Sequence, residues 1–440
     1  MLGRLKYSKI SWQWVLYLTA TFFGIAVFVF VNATQSMVLT HILNIPSSQL
    51  GDKAGTISFA DQIISVFAVY LFGVSSDFLG RRAVYSFGFA VMGVALCVTP
   101  RVSSYEALLG IRLLFAAGGG AASSMVTAVL ADFASDEHGG KLAGLVGLCS
   151  GSGALLALFV IMPLPLKFDD IVDGIQTTYL GVGLVAIGFS VLLFVALRPY
   201  MTIASRPSKT FFQKGKEGIW AAVDPKILLG YAGSFLARGD TVILTLFIPL
   251  WVYKKYIDQG VCAASGGLED PDIRDACRIA YLRASTISGV AQTAALVAAP
   301  LFGYLTDKLK APNLVLFNAI LGLISYSILF YANPIAGYIF AIAILVGLSE
   351  IGLIIGNMSL VTNKATVDES IRGSVAGVSS ACGALGILFS SKLGGYLFDS
   401  WDEGAPFLVL AVGHLLVVIC GVYVVVHERN GTVSHCETEV

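Results

Sequence analysis

Charge is scarce in this chain. Lysine, arginine, aspartate and glutamate make up 13% of its 440 residues, where a soluble globular chain carries roughly a quarter. That deficit excludes a soluble enzyme. The 28 basic and 28 acidic residues cancel, so the positive field of a nucleic-acid binder is missing and nucleic acid is excluded as a partner. Cysteine is sparse as well. The seven present form no Cys-x-x-Cys pair and no Cys/His cluster at zinc-ligand spacing, which leaves a metal site unsupported. A Walker A loop is lacking, which removes direct ATP drive, and neither His-Glu-x-x-His nor Gly-x-Ser-x-Gly is present. The chain reads as a non-enzyme with no cofactor.

What is abundant is apolar sequence, 56% of the chain. A membrane-spanning helix needs about 20 mostly apolar residues, and such windows recur at 14–38, 57–74, 83–98, 108–130, 142–162 and 179–197. A second series follows at 227–253, 285–305, 314–331, 335–361, 374–398 and 407–426. The first run is too long for the apolar part of a signal peptide, roughly 7 to 15 residues, and is read as a retained helix. The fold class expected is an all-α polytopic membrane protein of about twelve helices. Lysines and arginines such as Arg4, Lys6, Lys9, Arg81, Arg82, Lys209 and Lys216 collect on one side. By the positive-inside rule both termini are then cytoplasmic.

The polar stretch 198–226 divides the chain into an N-terminal half (1–197) and a C-terminal half (227–427), with a cytoplasmic tail at 428–440. Within it, 211–222 reads either as an amphipathic helix presenting Lys214 and Lys216 to headgroups or as a plain tether. The halves echo each other. Gly73 and Asp77 recur as Gly303 and Asp307, and Gly140, Gly144 and Gly153 recur as Gly373, Gly377 and Gly386, at nearly one offset. Duplicated halves are a transporter signature, with the binding site expected near the midplane.

The run Gly73-Val-Ser-Ser-Asp77-Phe-Leu-Gly80-Arg81-Arg82 resembles the loop between helices 2 and 3 of the major facilitator superfamily. Gly303-Tyr-Leu-Thr-Asp307-Lys308-Leu-Lys310 matches its second-half form. Phe78 departs from the pattern, standing where the first copy normally has a basic residue. The resemblance implies a twelve-helix fold in two pseudo-symmetric six-helix halves and a gating role for Gly73, Asp77, Gly80, Arg81, Arg82, Gly303, Asp307 and Lys308. Helix 4 carries Arg112 ahead of Gly118, Gly119 and Gly120, loosely like a family motif, though Ala116 stands at a position that is usually glycine. The resemblance gives Arg112 a role in proton coupling; a structural ion pair is the alternative reading. Helix 5 has glycines 144, 147, 151 and 153 but lacks the closing Gly-Pro of the antiporter branch, which leaves the branch open.

Ionisable residues inside spans are expensive and point to function. Here they are Asp61, Arg112, Arg238, Asp240, Glu350 and Lys392, the last near a span end where snorkelling explains it. Arg238 and Asp240, two apart, lie about 200° from one another around a helix. Asn32, Thr34 and Gln35 add uncharged donors and acceptors suited to orienting a ligand. The family resemblance places the cavity between helices 1, 4, 7 and 10, which hold Asn32, Arg112, Asp240 and Glu350. An enclosed carboxyl loses the solvation of its ionised form and so becomes able to exchange a proton near neutral pH, which makes Glu350 or Asp240 the expected proton carrier and Arg112 or Arg238 its partner.

The reading is a monomeric secondary transporter in the bilayer, moving a small organic solute by alternating access with protons; the alternative is a non-transporting sensor or scaffold on the same fold. Plasma membrane and vacuolar or lysosomal membrane both fit. Cys262 and Cys277, in the segment between helices 7 and 8, fall on the oxidising side and are expected to form a disulfide. The terminal Thr438-Glu439-Val440 has the form of a PDZ ligand.

Overall fold

The computed structural model describes the backbone of residues 3–133, 139–197, 211–260, 271–362, 367 and 372–437. Among the described residues every regular element is helical and there is no strand. Lipid offers no hydrogen bonds, so a spanning segment must satisfy its backbone internally, and a helix does that alone. Twelve helices are long and apolar enough to cross a membrane. They are span 1 (Trp12–Ala33), span 2 (Leu50–Gly73), span 3 (Arg81–Arg101), span 4 (Tyr105–Val126), span 5 (Leu145–Lys167) and span 6 (Ile171–Ala196), then span 7 (Pro225–Asp258), span 8 (Cys277–Thr306), span 9 (Ala311–Tyr331), span 10 (Ile339–Val361), span 11 (Ser374–Ser400) and span 12 (Ala405–Glu428).

By their contacts these helices form two compact units. One takes Met1–Ser205 with Val252–Gly289, the other Arg206–Trp251 with Val290–Val440. Glycine lets the helices of each unit approach closely, as expected where dispersion rather than the hydrophobic effect drives association. Gly118, Gly119 and Gly120 follow one another about 100° apart around span 4, and each meets a different neighbour. Gly118 lies on the backbone of span 3 at Gly88, Gly119 under the Phe28 ring of span 1, and Gly120 on span 2 at Ser65 and Ala68.

The internal repeat reappears in the packing. Gly153 of span 5 sits on the carbonyl of Phe22 in span 1, and Gly386 of span 11 sits on the carbonyl of Phe235 in span 7, with no room for a Cβ at either. Because the obstacle is backbone, a methyl group forces the helices apart. Gly386→Ala is therefore expected to destabilise by about 1–3 kcal/mol, the range for overpacking, read as a lower thermal midpoint in detergent. Gly377→Ala, where nothing lies within 4 Å of the added Cβ, is the control and is expected to leave the midpoint unchanged.

Among the described residues there are three single π-turns: Val38–Ile42 beyond the end of span 1, Ala157–Ile161 in span 5 and Ile243–Phe247 in span 7. Such widened turns disturb the regular hydrogen-bond ladder and frequently mark functional positions. The linker expectation resolves into a short helix, Phe211–Trp220, which leaves Ile219 and Trp220 exposed beside exposed Lys216. Tyr231 of span 7 donates from its hydroxyl to the Gly218 carbonyl at 2.7 Å. The Lys214 side chain, Cys262, Thr438 and Val440 lie outside the described residues.

Candidate functional site

The loop motif is built on helix-end geometry. Span 2's helix runs on to Leu79 and ends at Gly80, whose φ of 86° favours glycine, and span 3 begins at Arg81. Ser76 donates its hydroxyl to Gly73 O at 2.7 Å, and in the second copy Thr306 donates to Gly303 O at 2.6 Å. Arg81 hydrogen-bonds to the Ser76 hydroxyl. Arg82 lays its guanidinium over the Phe194 ring of span 6, 4.8 Å from the centroid, and Lys308 stands 5.7 Å from the Tyr304 centroid. The side chains of Asp77 and Asp307 lie outside the described residues.

Inside the first unit, spans 1, 2 and 4 bring Asn32, Asp61 and Arg112 together. Arg112 Nε donates to Asp61 Oδ2 at 2.9 Å, and Nη2 donates to Asn32 Oδ1 at 3.0 Å while also pairing with Asp61 Oδ2. The Arg112 side chain is 5% exposed and that of Asp61 15%. Asp61 Oδ1 has no hydrogen-bond partner among the described residues. This is a buried charge pair with one carboxylate oxygen free to accept a donor. Gln35 is committed elsewhere, its amide donating to Ala54 O of span 2 at 3.0 Å, and Thr34 shares a hydrogen bond of 2.8 Å with the Tyr179 hydroxyl of span 6.

Inside the second unit, Glu350 of span 10 is 5% exposed. Its Oε1 accepts from the Thr241 hydroxyl at 3.0 Å and its Oε2 from the Gln292 amide at 3.5 Å, so spans 7 and 8 supply neutral donors. Arg238 interacts with Glu350 through space, and its stem lies over Gly383 of span 11. Its side chain is exposed, whereas Asp240, two residues on, is wholly enclosed. Asp240 Oδ1 is 3.3 Å from His414 Nε2 of span 12, and neither side chain has any exposure. The Tyr326 ring of span 9 stacks on His414 with centroids 5.3 Å apart. The structure thus puts Glu350 and Asp240 in different surroundings, one among hydroxyl and amide donors, the other against an imidazole. Lys392 is exposed.

Thr241, Gln292, Tyr326 and His414 escaped sequence reasoning. Span 12 holds two histidines, His414 in mid-span and His427 at its end, and only the mid-span position of His414 signals it. A second group missed from sequence is His41, Tyr253 and Tyr281. His41 sits in the first π-turn with Nε2 3.4 Å from the Tyr281 hydroxyl, and Tyr281 stacks on Tyr253 at 4.6 Å between centroids. Cys277 is buried and disulfide-bonded; Cys262, its expected partner, is not among the described residues.

Comparison with known proteins bears on fold and family. The chain is 24% identical over 400 residues to the magnetosome protein MamH of Paramagnetospirillum magneticum, covering 88% of this chain and 86% of that protein. It is 25% identical to MamZ of the same organism, covering 96% of this chain but only 64% of MamZ. Among solved structures, the nucleoside transporter NupG superposes with a TM-score of 0.70 at 12% identity, covering 94% of this chain and 98% of that one. The D-xylose-proton symporter superposes with a TM-score of 0.66 at 18% identity, covering 93% and 96%. At such identities the structural likeness speaks to fold alone. The family description Major Facilitator Superfamily matches residues 16–365 and again 230–435, and with the twelve spans this shows that the chain is an integral, multi-pass membrane protein belonging to the major facilitator superfamily.

Proposed function

We propose that this protein is a secondary active transporter that moves a small organic solute by alternating access and is driven by protons. The observation that carries the reading is Glu350, a carboxyl almost wholly removed from water, held by the neutral donors Thr241 and Gln292, with Asp240 and Arg238 as charges of opposite sign that act on it through space. A carboxyl so placed is unexplained as a permanent salt bridge, because among the described residues no ion-pair contact closes on it, and it suits proton binding and release. A scaffold has no use for an unpaired carboxyl in mid-span, which weighs against a binding-only protein on this fold.

In this reading Asn32, Asp61 and Arg112 contribute polar groups from the N-terminal half, and the loop motif with Asp77 and Asp307 acts as the cytoplasmic gate. Both termini face the cytoplasm, so the end of span 1 that bears His41 faces outward, together with the Cys262–Cys277 disulfide. The protein acts as a monomer. The experiment is uptake into proteoliposomes across a panel of solutes, with and without an imposed pH gradient. Uptake of one solute class that rises with an inward proton gradient supports the reading; binding without uptake supports the scaffold.

A further inference from the structure

We propose that His41 is a proton-binding latch at the outer end of span 1, which holds that end shut when neutral and releases it when protonated. Its position is structural, set by the π-turn Val38–Ile42, which carries Thr40 and His41 away from the regular path of span 1. The imidazole meets the far ends of spans 7 and 8. Its Nε2 lies 3.4 Å from the Tyr281 hydroxyl, and its ring centroid lies 6.3 Å from that of Tyr253 and 6.0 Å from that of Tyr281. Tyr253 and Tyr281 are fully buried. Ser285, one helical turn after Tyr281, adds a hydroxyl contact to the carbonyl of Leu158 in the π-turn of span 5.

The same end gathers buried hydroxyls. Ser36, Thr40 and Tyr253 cluster around the Tyr281 hydroxyl, and Ser36 and Thr40 are 1% and 3% exposed. A neutral imidazole can accept from Tyr281 through Nε2. An imidazolium carries hydrogens on both nitrogens and loses that acceptor, so it breaks the link while placing a charge among buried hydroxyls.

Burial of the ring sets the direction of the effect. Burial pushes His41 down from 6.5 to about 4, and Asp170, the cap residue of span 6, opposes this. Tyr281 faces the ring from span 8 and Tyr253 from span 7, both uncharged. Asp52 and Lys53 lie in the first turns of span 2. When this end opens, the ring regains water and its ordinary affinity. The open form therefore binds more protons between pH 6.5 and 4, and the closed form, favoured fully above 6.5, loses ground as pH falls through that window. At about pH 5.5 the closed-to-open ratio is expected to be about tenfold lower than at about pH 7.5.

The inference rests on the alternating-access reading, and the test keeps the two apart. Spin labels at Ser48→Cys and Gln259→Cys, both exposed positions at this end, report opening by distance in protein whose free cysteines are replaced by serine. Wild type should shift about tenfold toward the long distance between pH 7.5 and 5.5. His41→Gln, which retains an acceptor but does not titrate, should stay closed at both, and Tyr281→Phe, which cuts the link, should open at pH 7.5. An unchanged pH response in both His41→Gln and His41→Phe overturns the latch. So does a wild type indifferent to pH when Tyr281→Phe opens. If neither wild type nor Tyr281→Phe ever opens, the latch and the alternating-access reading fall together.

Discussion

Arg112→Ala is expected to destabilise the protein by about 3–5 kcal/mol, the cost of leaving one member of a buried charge pair without its partner. Asp61 already has one oxygen without a hydrogen bond, and both bonds to its other oxygen come from Arg112. Removing the guanidinium also strips Asn32 of its donor. The diagnostic comparison is with Arg112→Met combined with Asp61→Leu. Replacing a buried pair by apolar side chains of similar volume is often neutral or stabilising by about 1–4 kcal/mol, so the double variant should be clearly more stable than Arg112→Ala. Thermal midpoints in one detergent decide it. A double variant no more stable than Arg112→Ala would show that the two charges do not depend on each other.

Glu350→Gln is expected to abolish gradient-driven accumulation while leaving exchange of solute without a gradient near the wild-type rate. The glutamine keeps an oxygen to accept from Thr241 but cannot release a proton. With one proton per solute, a gradient of one pH unit supplies about 1.4 kcal/mol, enough for about a tenfold accumulation ratio, and this should collapse to about one in the variant. Asp240→Asn should act differently. Asp240 is sealed against His414 rather than held by hydroxyl and amide donors, so its loss is expected to lower stability and retain coupling. Accumulation that survives Glu350→Gln with its pH dependence intact would remove this carboxyl from the proton path.

The twelve spans were legible because each is one long apolar window in a chain otherwise poor in charge, and the family was legible from two short loops. Gly153 and Gly386 stood out as repeated glycines, and their shared contact with a carbonyl of the first helix of the same half, span 1 or span 7, gives that repeat a physical meaning. What the sequence hid were partners. Arg112 and Asp61 were both flagged as ionisable residues in lipid, yet their pairing depends on how spans 2 and 4 cross, which a stretch of interchangeable apolar residues does not encode visibly. His414 was hard to see for the opposite reason: a histidine in mid-span carries no spacing, and only Asp240, from a helix far away in the chain, reveals its use. The π-turn that presents His41 has no sequence signature at all, since one inserted residue per turn leaves the hydrophobic pattern almost unchanged.

The central claim is that solute and proton cross together, and proton movement evoked by solute tests it most directly. Proteoliposomes carrying a pH indicator, with no imposed gradient, receive the solute that scores in the uptake panel. The account predicts a solute-dependent proton flux in wild type that is absent in Glu350→Gln, although labelled solute still exchanges across both membranes. Solute entry into wild-type vesicles with no accompanying proton flux would contradict it.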